Sequence, residues 1–276
     1  METIIMRGKP VADAYREKLA AKIAAAGKRG IKVTLAIVLV GDDSASHVYT
    51  ERLSKLTVSL GADVRVVKLP AATTEGEVLR TIGALNADAG VQGILPMMPM
   101  PRHINSDAVG AAVAAEKDMD CLNPVNSGAV FLGRSSMAPC TPRACMAILD
   151  YYGIDPTGKH AVVLGRSNVV GKPAAVLLLQ KNATVTVCHS RTADLTYILR
   201  QADIIVAAVG IPGFVTADMV KPGAVVVDVG INAVDGGIVG DVAPEATELA
   251  YAYTPVPGGV GVVSNMMVME CLTRNI

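Results

Sequence analysis

Short apolar runs separated by amphipathic stretches constrain this chain more than any other feature of its sequence. In the first half, residues 33–40 (VTLAIVLV), 63–69 and 91–95 are predicted strands. Residues 45–60 and 74–86 lie between them and have the spacing of amphipathic helices. This β-α-β-α-β order predicts a mostly parallel sheet with covering helices.

The same alternation resumes after Gly158. Two α/β blocks within 276 residues predict two domains, and we place the boundary between residues 120 and 145. The predicted fold class is therefore α/β, with a mostly parallel sheet and covering helices in each domain. The second block is predicted to contain strands at 160–164, 184–188, 203–209 and 224–229, with helices at 172–181 and 193–201.

Prolines and capping residues indicate where these elements stop. Pro96 is predicted to lie in a loop, because proline cannot donate a hydrogen bond to a strand ladder. Residues 116–139 are predicted to form a loop as well. Residues 141–152 follow as a predicted helix, with Thr141 as its N-cap and Pro142 in its first turn.

Composition excludes several classes of partner. Basic and acidic residues balance at 25 each and aromatic residues make up 3% of the chain, so we expect no nucleic-acid partner. The apolar runs are shorter than the roughly 20 residues of a membrane span, and the N-terminus has no signal-like apolar core. We therefore expect a cytoplasmic protein without a membrane partner. Its five widely spaced cysteines predict free thiols, and no metal site is expected.

The turn GRSNVVGKP (residues 165–173) follows a predicted buried strand and precedes a predicted helix. Gly165 permits a sharp turn, and Gly171 lets the helix start close to the strand, so that backbone N–H groups can face a diphosphate. Ser167 stands where the middle glycine of a dinucleotide fingerprint is usual, and Arg166 is a candidate phosphate contact. On this motif alone, an ordinary strand–helix turn remains the alternative.

The next predicted strand ends in CHSRT (residues 188–192) and carries no acid. An Asp or Glu at this place bonds the ribose hydroxyls of NAD, whereas Ser190 and Arg191 suit the 2′-phosphate of NADP, with Arg166 as a second candidate. The alternative for Arg191 is a solvated charge at a helix start. A cation at that position is mildly unfavourable unless an anion joins it, so we predict NADP as the cofactor.

Several segments together resemble the bifunctional methylenetetrahydrofolate dehydrogenase/cyclohydrolase family. They include GRSNVVGKP, CHSRT, KPGAVVVDVGIN (221–232), TPVPGGVG (254–261) and EKDMD (116–120). The resemblance implies NADP, a folate-type substrate in a cleft between two domains, and a homodimer. It implies a substrate domain over residues 1–140 completed by a C-terminal helix at 264–276, and a Rossmann-type NADP-binding domain over 141–263.

The resemblance also assigns residues to the two ligand sites. Val170, Gly210 and Ile231 join the cofactor-binding set, and Pro257, Gly258 and Gly259 join the substrate pocket. In the family, a Tyr, a Lys four residues later, a Gln in a proline-rich loop and the last Asp of KDVDG build the folate site. Tyr49 and Asp120 match the Tyr and the Asp.

Two positions of the folate site depart from this pattern. Leu53 stands four residues after Tyr49, and Met97 stands where the Gln is usual. Lys55 is the nearest lysine and a weak catalytic candidate, because it lies about 200° around the helix from Leu53. Tyr49, Asp120 and Met97 also have plain alternatives, namely a packing residue, a turn-forming acid and core filler.

The predicted function is NADP-dependent oxidation of 5,10-methylenetetrahydrofolate, with cyclohydrolase activity weak or absent. Leucine cannot accept or donate a proton, whereas hydride transfer chiefly requires that two rings be positioned. Two alternatives stay open. One is a paralogue that acts on another imine-like or one-carbon substrate, and the other is a catalytically silent nucleotide-binding protein with a regulatory role.

Overall fold

The structure is a computed structural model that describes residues 3–134, 137–274 and 276. The chain folds into two compact units. The six-stranded unit comprises Met1–Asp13 and Pro139–Ser264, and the three-stranded unit comprises Ala14–Ala138 and Asn265–Ile276. Both contain parallel sheets with helices, which confirms the predicted α/β fold class.

Among the described residues, the strands are β1 (Ile4–Ile5), β2 (Thr34–Val40), β3 (Asp63–Leu69), β4 (Gly93–Pro96), β5 (His160–Leu164), β6 (Thr184–Cys188), β7 (Ile204–Ala207), β8 (Val225–Asp228), β9 (Asn232–Val234), β10 (Gly237–Val239) and β11 (Ala252–Tyr253). The helices are α1 (Gly8–Lys28), α2 (Ser44–Ser59), α3 (Glu75–Ala87), α4 (Ser106–Ala112), α5 (Pro124–Phe131), α6 (Cys140–Tyr151), α7 (Gly171–Gln180), α8 (Leu195–Leu199), α9 (Pro244–Thr247) and α10 (Val260–Leu272).

The three-stranded sheet has the strand order β3-β2-β4, and all its strands are parallel. Every residue of β2 is buried, as its continuous apolar sequence predicts. The helix α2 connects β2 to β3, so it runs antiparallel to the strands and begins at their carboxyl ends. Side chains at the start of α2 therefore lie at the edge of the sheet where ligands of α/β proteins usually bind.

The six-stranded sheet has the order β1-β11-β8-β7-β5-β6 and is parallel throughout. The chain reverses direction of winding at β5, which pairs with β6 on one side and β7 on the other, as in a Rossmann-type sheet. The short strand β1 pairs with β11, so the N-terminal residues belong to this unit rather than to a domain spanning residues 1–140. Two residues carry too little periodicity to reveal that pairing in the sequence.

Pro96 is the last residue of β4 and not a loop residue, which corrects the prediction. It is tolerated because β4 is the last strand of this sheet, and its outer side is bridged at Ile94 rather than at Pro96. The next residue, Met97, donates its N–H to the carbonyl of Val38 and so keeps the segment attached to the sheet.

The predicted loop over residues 116–139 contains a helix, α5. Asn123 caps it by accepting the N–H of Val125 at 2.8 Å, and Pro124 occupies its first turn. Thr141 is not the cap of the following helix, because α6 already begins at Cys140. The Thr141 hydroxyl instead lies 3.2 Å from that of Ser264.

Candidate active site

Gly165 directly follows the buried strand β5 in a conformation that only glycine adopts without strain. Its φ is +126°, its N–H donates to the carbonyl of Cys188 at 2.9 Å, and an added Cβ would collide with the carbonyl oxygen of Ala208. Neighbouring backbone thus fills the space that a side chain would occupy. The predicted role of Gly165 in a sharp turn agrees with this geometry.

Gly171 brings the first turn of α7 against the end of β5. A Cβ at this position would collide with the carbonyl oxygen of Gly165 and approach the nitrogen of Arg166 to 2.7 Å. The close approach directs the helix start at the carboxyl edge of the sheet, where the helix dipole favours an anion. The turn therefore fits a diphosphate-binding loop.

Ser167 replaces the middle glycine of a standard fingerprint with a side chain that organises the turn. Its hydroxyl accepts the N–H groups of Val170 at 3.2 Å and Gly171 at 3.3 Å. Those two amides are therefore already engaged. Within the described part of the chain, the N–H groups of Arg166, Ser167, Asn168 and Val169 make no hydrogen bond, so these amides are available to an anion.

Ser190 and Arg191 form an exposed turn directly after β6. The turn is held by His189, whose N–H donates to the Thr192 hydroxyl at 2.9 Å and whose Nδ1 accepts the N–H of Arg191 at 3.2 Å. Neither Arg191 nor Arg166 forms an ion pair with any acid that the structure describes. Both guanidinium groups remain available to phosphate.

Asp241 anchors the loop that follows β7. The sequence analysis did not identify it as a residue of the site. Its side chain is completely buried and accepts the N–H groups of Val209 at 2.6 Å, Gly210 at 2.9 Å and Ile211 at 3.1 Å. It also accepts the amide of Asn232 at 2.8 Å. Gly210, a predicted cofactor contact, is therefore positioned by a carboxylate 31 residues away in the chain.

Asp228, the last residue of β8, is a second buried carboxylate and binds backbone amides at Asp241 and beside it. Its carboxylate accepts the N–H groups of Gly230, Asp241 and Val242 at 2.9–3.0 Å. Its side chain lies so close to Gly240 that an added Cβ there would collide with it. Burial raises the pKa of Asp228 from its ordinary 3.8 to about 6, against the opposing effect of the three amides.

The raised pKa predicts a pH-dependent stability. The folded protein binds the Asp228 proton more tightly than the unfolded chain, so this stabilisation is present below about pH 4 and is lost as the pH rises through 6. The change amounts to about 3 kcal/mol at most. Urea titrations of the wild type and of Asp228→Asn at about pH 4.5 and about pH 7 measure this effect. We expect the unfolding free energy of the wild type, minus that of the variant, to be smaller at the higher pH. A difference that stays constant over this range would contradict the assignment.

In the three-stranded unit, α2 places Tyr49 and Leu53 one turn apart. Leu53 is completely buried, and Tyr49 is half-buried. Lys55 is not brought together with them, because its side chain is 75% exposed and its Nζ lies 2.6 Å from the carboxylate of Glu51. The lysine nearest to the predicted catalytic position thus faces solvent in an i,i+4 ion pair.

Met97 and Asp120 reach the same edge of the three-stranded sheet. Met97 follows β4 and is buried, while the hydroxyl of Ser46, in the first turn of α2, lies 3.4 Å from the neighbouring carbonyl of Met98. Asp118 forms a parallel bridge with Ile94, which carries the half-buried Asp120 along the side of β4. Tyr49, Leu53, Met97 and Asp120 are therefore all supplied by segments that meet at this edge.

Two charged residues next to Asp120 have structural roles instead. Asp118 is completely buried and accepts the N–H groups of Leu122 and Asn123 and the amide of Asn126 at 2.9–3.0 Å. Lys117 donates its Nζ to three carbonyl groups at the end of α3, at 2.8–3.2 Å. Cys121, which replaces the usual glycine, adopts a φ of +58°.

Pro257, Gly258 and Gly259 lie in the six-stranded unit before α10. Gly258 has a φ of +104° and accepts the N–H of Gly8 at 2.7 Å. A Cβ on Gly259 would approach the carbonyl oxygen of Pro255 to 2.5 Å, so the segment is tightly folded. Ile231 is 65% exposed in the same unit.

The cysteines, the grouping of possible metal ligands and the apolar character of the helices were also considered in the sequence. All five cysteines are free and buried, which confirms their predicted state. In the part of the chain that the structure describes, no three His, Cys, Asp or Glu side chains are grouped so that they could hold a metal ion. Among the same residues, no helix has both the length and the apolar character needed to cross a bilayer.

Two family models match this chain. "Tetrahydrofolate dehydrogenase/cyclohydrolase, catalytic domain" matches residues 6–120, and "Tetrahydrofolate dehydrogenase/cyclohydrolase, NAD(P)-binding domain" matches residues 139–276. The second match covers the Gly165–Gly171 turn, the Ser190–Arg191 turn and the buried carboxylates of Asp228 and Asp241.

Similar proteins extend over the whole chain. The bifunctional protein FolD of Exiguobacterium sibiricum is 46% identical over 97% of both chains, and that of Moorella thermoacetica is 47% identical over 98% of this chain and 97% of its own. The crystal structure of FolD from Campylobacter jejuni has a TM-score of 0.96 at 40% identity and covers 99% of this chain and 98% of its own. FolD from Trypanosoma brucei, complexed with NADP cofactor and inhibitor, has a TM-score of 0.94 at 36% identity, with coverages of 99% and 96%. The chain therefore belongs to the tetrahydrofolate dehydrogenase/cyclohydrolase family.

Proposed function

We propose that this chain oxidises 5,10-methylenetetrahydrofolate to 5,10-methenyltetrahydrofolate with NADP, and that its cyclohydrolase activity is weak or absent. Family membership, relatives named as bifunctional FolD proteins and a structural neighbour bound to NADP support the dehydrogenase. The observation that carries the second part is the complete burial of Leu53 where the resemblance places a lysine.

The six-stranded unit supplies the cofactor site of this proposal. The amides of Arg166 and Asn168 bind the diphosphate at the start of α7, and Ser190 and Arg191 bind the 2′-phosphate. Gly210 and Ile231 lie on loops fixed by the buried carboxylates and contact the nicotinamide half. NADP supplies the hydride acceptor when it is bound.

Replacing Arg191 with alanine tests the cofactor preference. We expect the Kd for NADP to rise by about 10- to 100-fold, because a charge-assisted hydrogen bond to phosphate is lost, while the Kd for NAD changes less than about twofold. Calorimetric titration of both nucleotides measures the two constants. Lys181→Ala is the matched control, since Lys181 is a cation at the far end of α7 paired with Asp150. Equal weakening of NADP and NAD binding would refute the role of Arg191.

On the substrate side, Tyr49 and Asp120 hold the ring in this proposal, and Leu53 and Met97 line its apolar part. Hydride loss from the methylene carbon needs no base, so it survives without the lysine. Attack of water on the methenyl carbon needs a group that moves protons. Leu53 has no such atom, and Lys55 is engaged with Glu51 on the solvent side of α2.

Separate assays of the two steps test the proposal. Purified protein with methylenetetrahydrofolate and NADP is expected to form NADPH. The same protein added to methenyltetrahydrofolate is expected to hydrolyse it no more than a few times faster than buffer alone. Absence of NADPH formation despite NADP binding would instead favour the second candidate, another imine-like or one-carbon substrate. The apolar pair Leu53 and Met97 is the observation behind that candidate. The homodimer stays a prediction from the resemblance.

A further inference from the structure

Two buried side-chain polar atoms lack a hydrogen-bond partner within the part of the chain that the structure describes. They are the hydroxyl oxygen of Thr50 and the side-chain carbonyl oxygen of Asn265. Thr50 is only 5% exposed. A buried polar group without a partner destabilises the folded state, so each of these atoms requires an explanation, such as a ligand that supplies the missing partner.

Thr50 lies on α2 directly after Tyr49 and shares a buried face with Leu53 and Thr57. Thr57 satisfies its hydroxyl by donating to the carbonyl of Leu53, four residues earlier, at 2.8 Å. Thr50 has the equivalent carbonyl of Ser46 four residues before it, yet makes no such bond. Its hydroxyl therefore does not use the carbonyl of its own helix.

Asn265 lies on α10, which reaches the three-stranded sheet at the amino ends of the strands. The Thr57 hydroxyl lies 3.4 Å from the sulfur of Met269, and Leu272 packs against Gly93, the first residue of β4. Thr57 is in the last turns of α2, which also ends at the amino edge. The C-terminal turns of α2 and α10 therefore lie together at this edge.

The contact between Thr57 and Met269 relates the second unpaired atom to the substrate-side residues. One turn before Thr57 on α2 is Leu53, and one turn before Met269 on α10 is Asn265. Thr50 therefore shares the buried face of α2 with Leu53, and Asn265 lies one turn before the α10 residue that contacts that face. Among the described residues, the two with unpaired buried side-chain atoms thus belong to α2 and to the helix that contacts it, and α2 carries Leu53 where the resemblance places a lysine.

We propose that Thr50 and Asn265 contact the substrate and determine its specificity, replacing hydrogen bonds that the family makes through the lysine and glutamine. This inference rests on the proposed function. The carbonyl of Asn265 accepts an N–H of the aminopyrimidinone edge of a reduced pterin, and the hydroxyl of Thr50 bonds a second polar atom of the same ring. A ligand without such ring N–H donors leaves both atoms unpaired and binds poorly.

The test uses Thr50→Val and Asn265→Leu, which remove the unpaired atoms while keeping similar volume. We expect each to raise the KM for methylenetetrahydrofolate about tenfold, with kcat within about twofold. We also expect each to raise the Tm by about 2 °C, because an unsatisfied buried group is removed. Thr50→Ser keeps a hydroxyl and is expected to retain a KM within about threefold of the wild type.

Thr57→Val is the matched control on the same face of α2. Its hydroxyl is already bonded, so its removal is expected to lower the Tm and leave the KM unchanged. If the wild type is active and neither Thr50→Val nor Asn265→Leu changes the KM, this inference is wrong while the proposed function stands. A wild type that forms no NADPH from methylenetetrahydrofolate would overturn the proposed function and this inference with it.

Discussion

Replacing Leu53 with lysine and Met97 with glutamine in one variant is expected to raise the enzymatic rate of methenyltetrahydrofolate hydrolysis about 100-fold or more, because a positioned proton-transfer group is typically worth that much. Leu53 lies one turn after Tyr49, so a lysine there starts from the correct face of α2. The long apolar stem of lysine fills the buried volume of the leucine and lets its amine reach the edge of the pocket.

The measurement follows loss of the methenyl compound against an enzyme-free blank. Val58→Lys is the matched control, because it adds the same charge to α2 at a residue that is 60% exposed. We expect no gain from it. Met97→Gln alone is expected to change the rate little, since an amide does not transfer protons at neutral pH. A folded double variant with no gain in hydrolysis would show that Leu53 is not at the proton-transfer position.

Asp241→Ala is expected to destabilise the protein by about 3–5 kcal/mol, because it leaves several buried N–H donors without an acceptor. Three of these donors belong to the backbone of residues 209–211 and one to Asn232. Among the residues that the structure describes, Asp241 is the only side chain that binds the backbone of this Gly210 loop. Because the loop loses these bonds, we also expect the Kd for NADP to rise at least about tenfold.

Urea unfolding and nucleotide titration measure the two effects separately. Asp235→Ala is the control, because Asp235 is an exposed acid in the turn between β9 and β10 of the same unit. It is expected to change the unfolding free energy by less than about 0.5 kcal/mol. Full retention of stability in Asp241→Ala would mean that its hydrogen bonds are replaced by water and that the loop is positioned by other contacts.

The elements that the sequence predicted correctly are those whose physical signal is local. A fully buried parallel strand such as β2 is a continuous apolar run, and the turn at Gly165–Gly171 combines two glycines with the end of such a run. The helix predicted over residues 74–86 is α3 (Glu75–Ala87), and it begins with a capping box of Thr74 and Glu77 that is complete within four residues.

The features that the sequence did not reveal depend on partners far away in the chain. In the sequence, Asp228 and Asp241 look like solvent-facing acids at the ends of apolar runs. In the structure, their carboxylates accept hydrogen bonds from backbone amides of three separate segments. The β9–β10 hairpin has only three residues in each strand and no regular alternation. The unpaired state of Thr50 is visible only once the surroundings of α2 are known.

The distribution of products formed from methylenetetrahydrofolate and NADP tests the central claim most directly. In a single incubation, NADPH, methenyltetrahydrofolate and 10-formyltetrahydrofolate are measured together at early times. We predict that methenyltetrahydrofolate accumulates in equal amount to NADPH, and that the formyl compound appears only at the rate of an enzyme-free methenyl control. Formyl product that keeps pace with NADPH would show a competent cyclohydrolase and contradict the role given to Leu53.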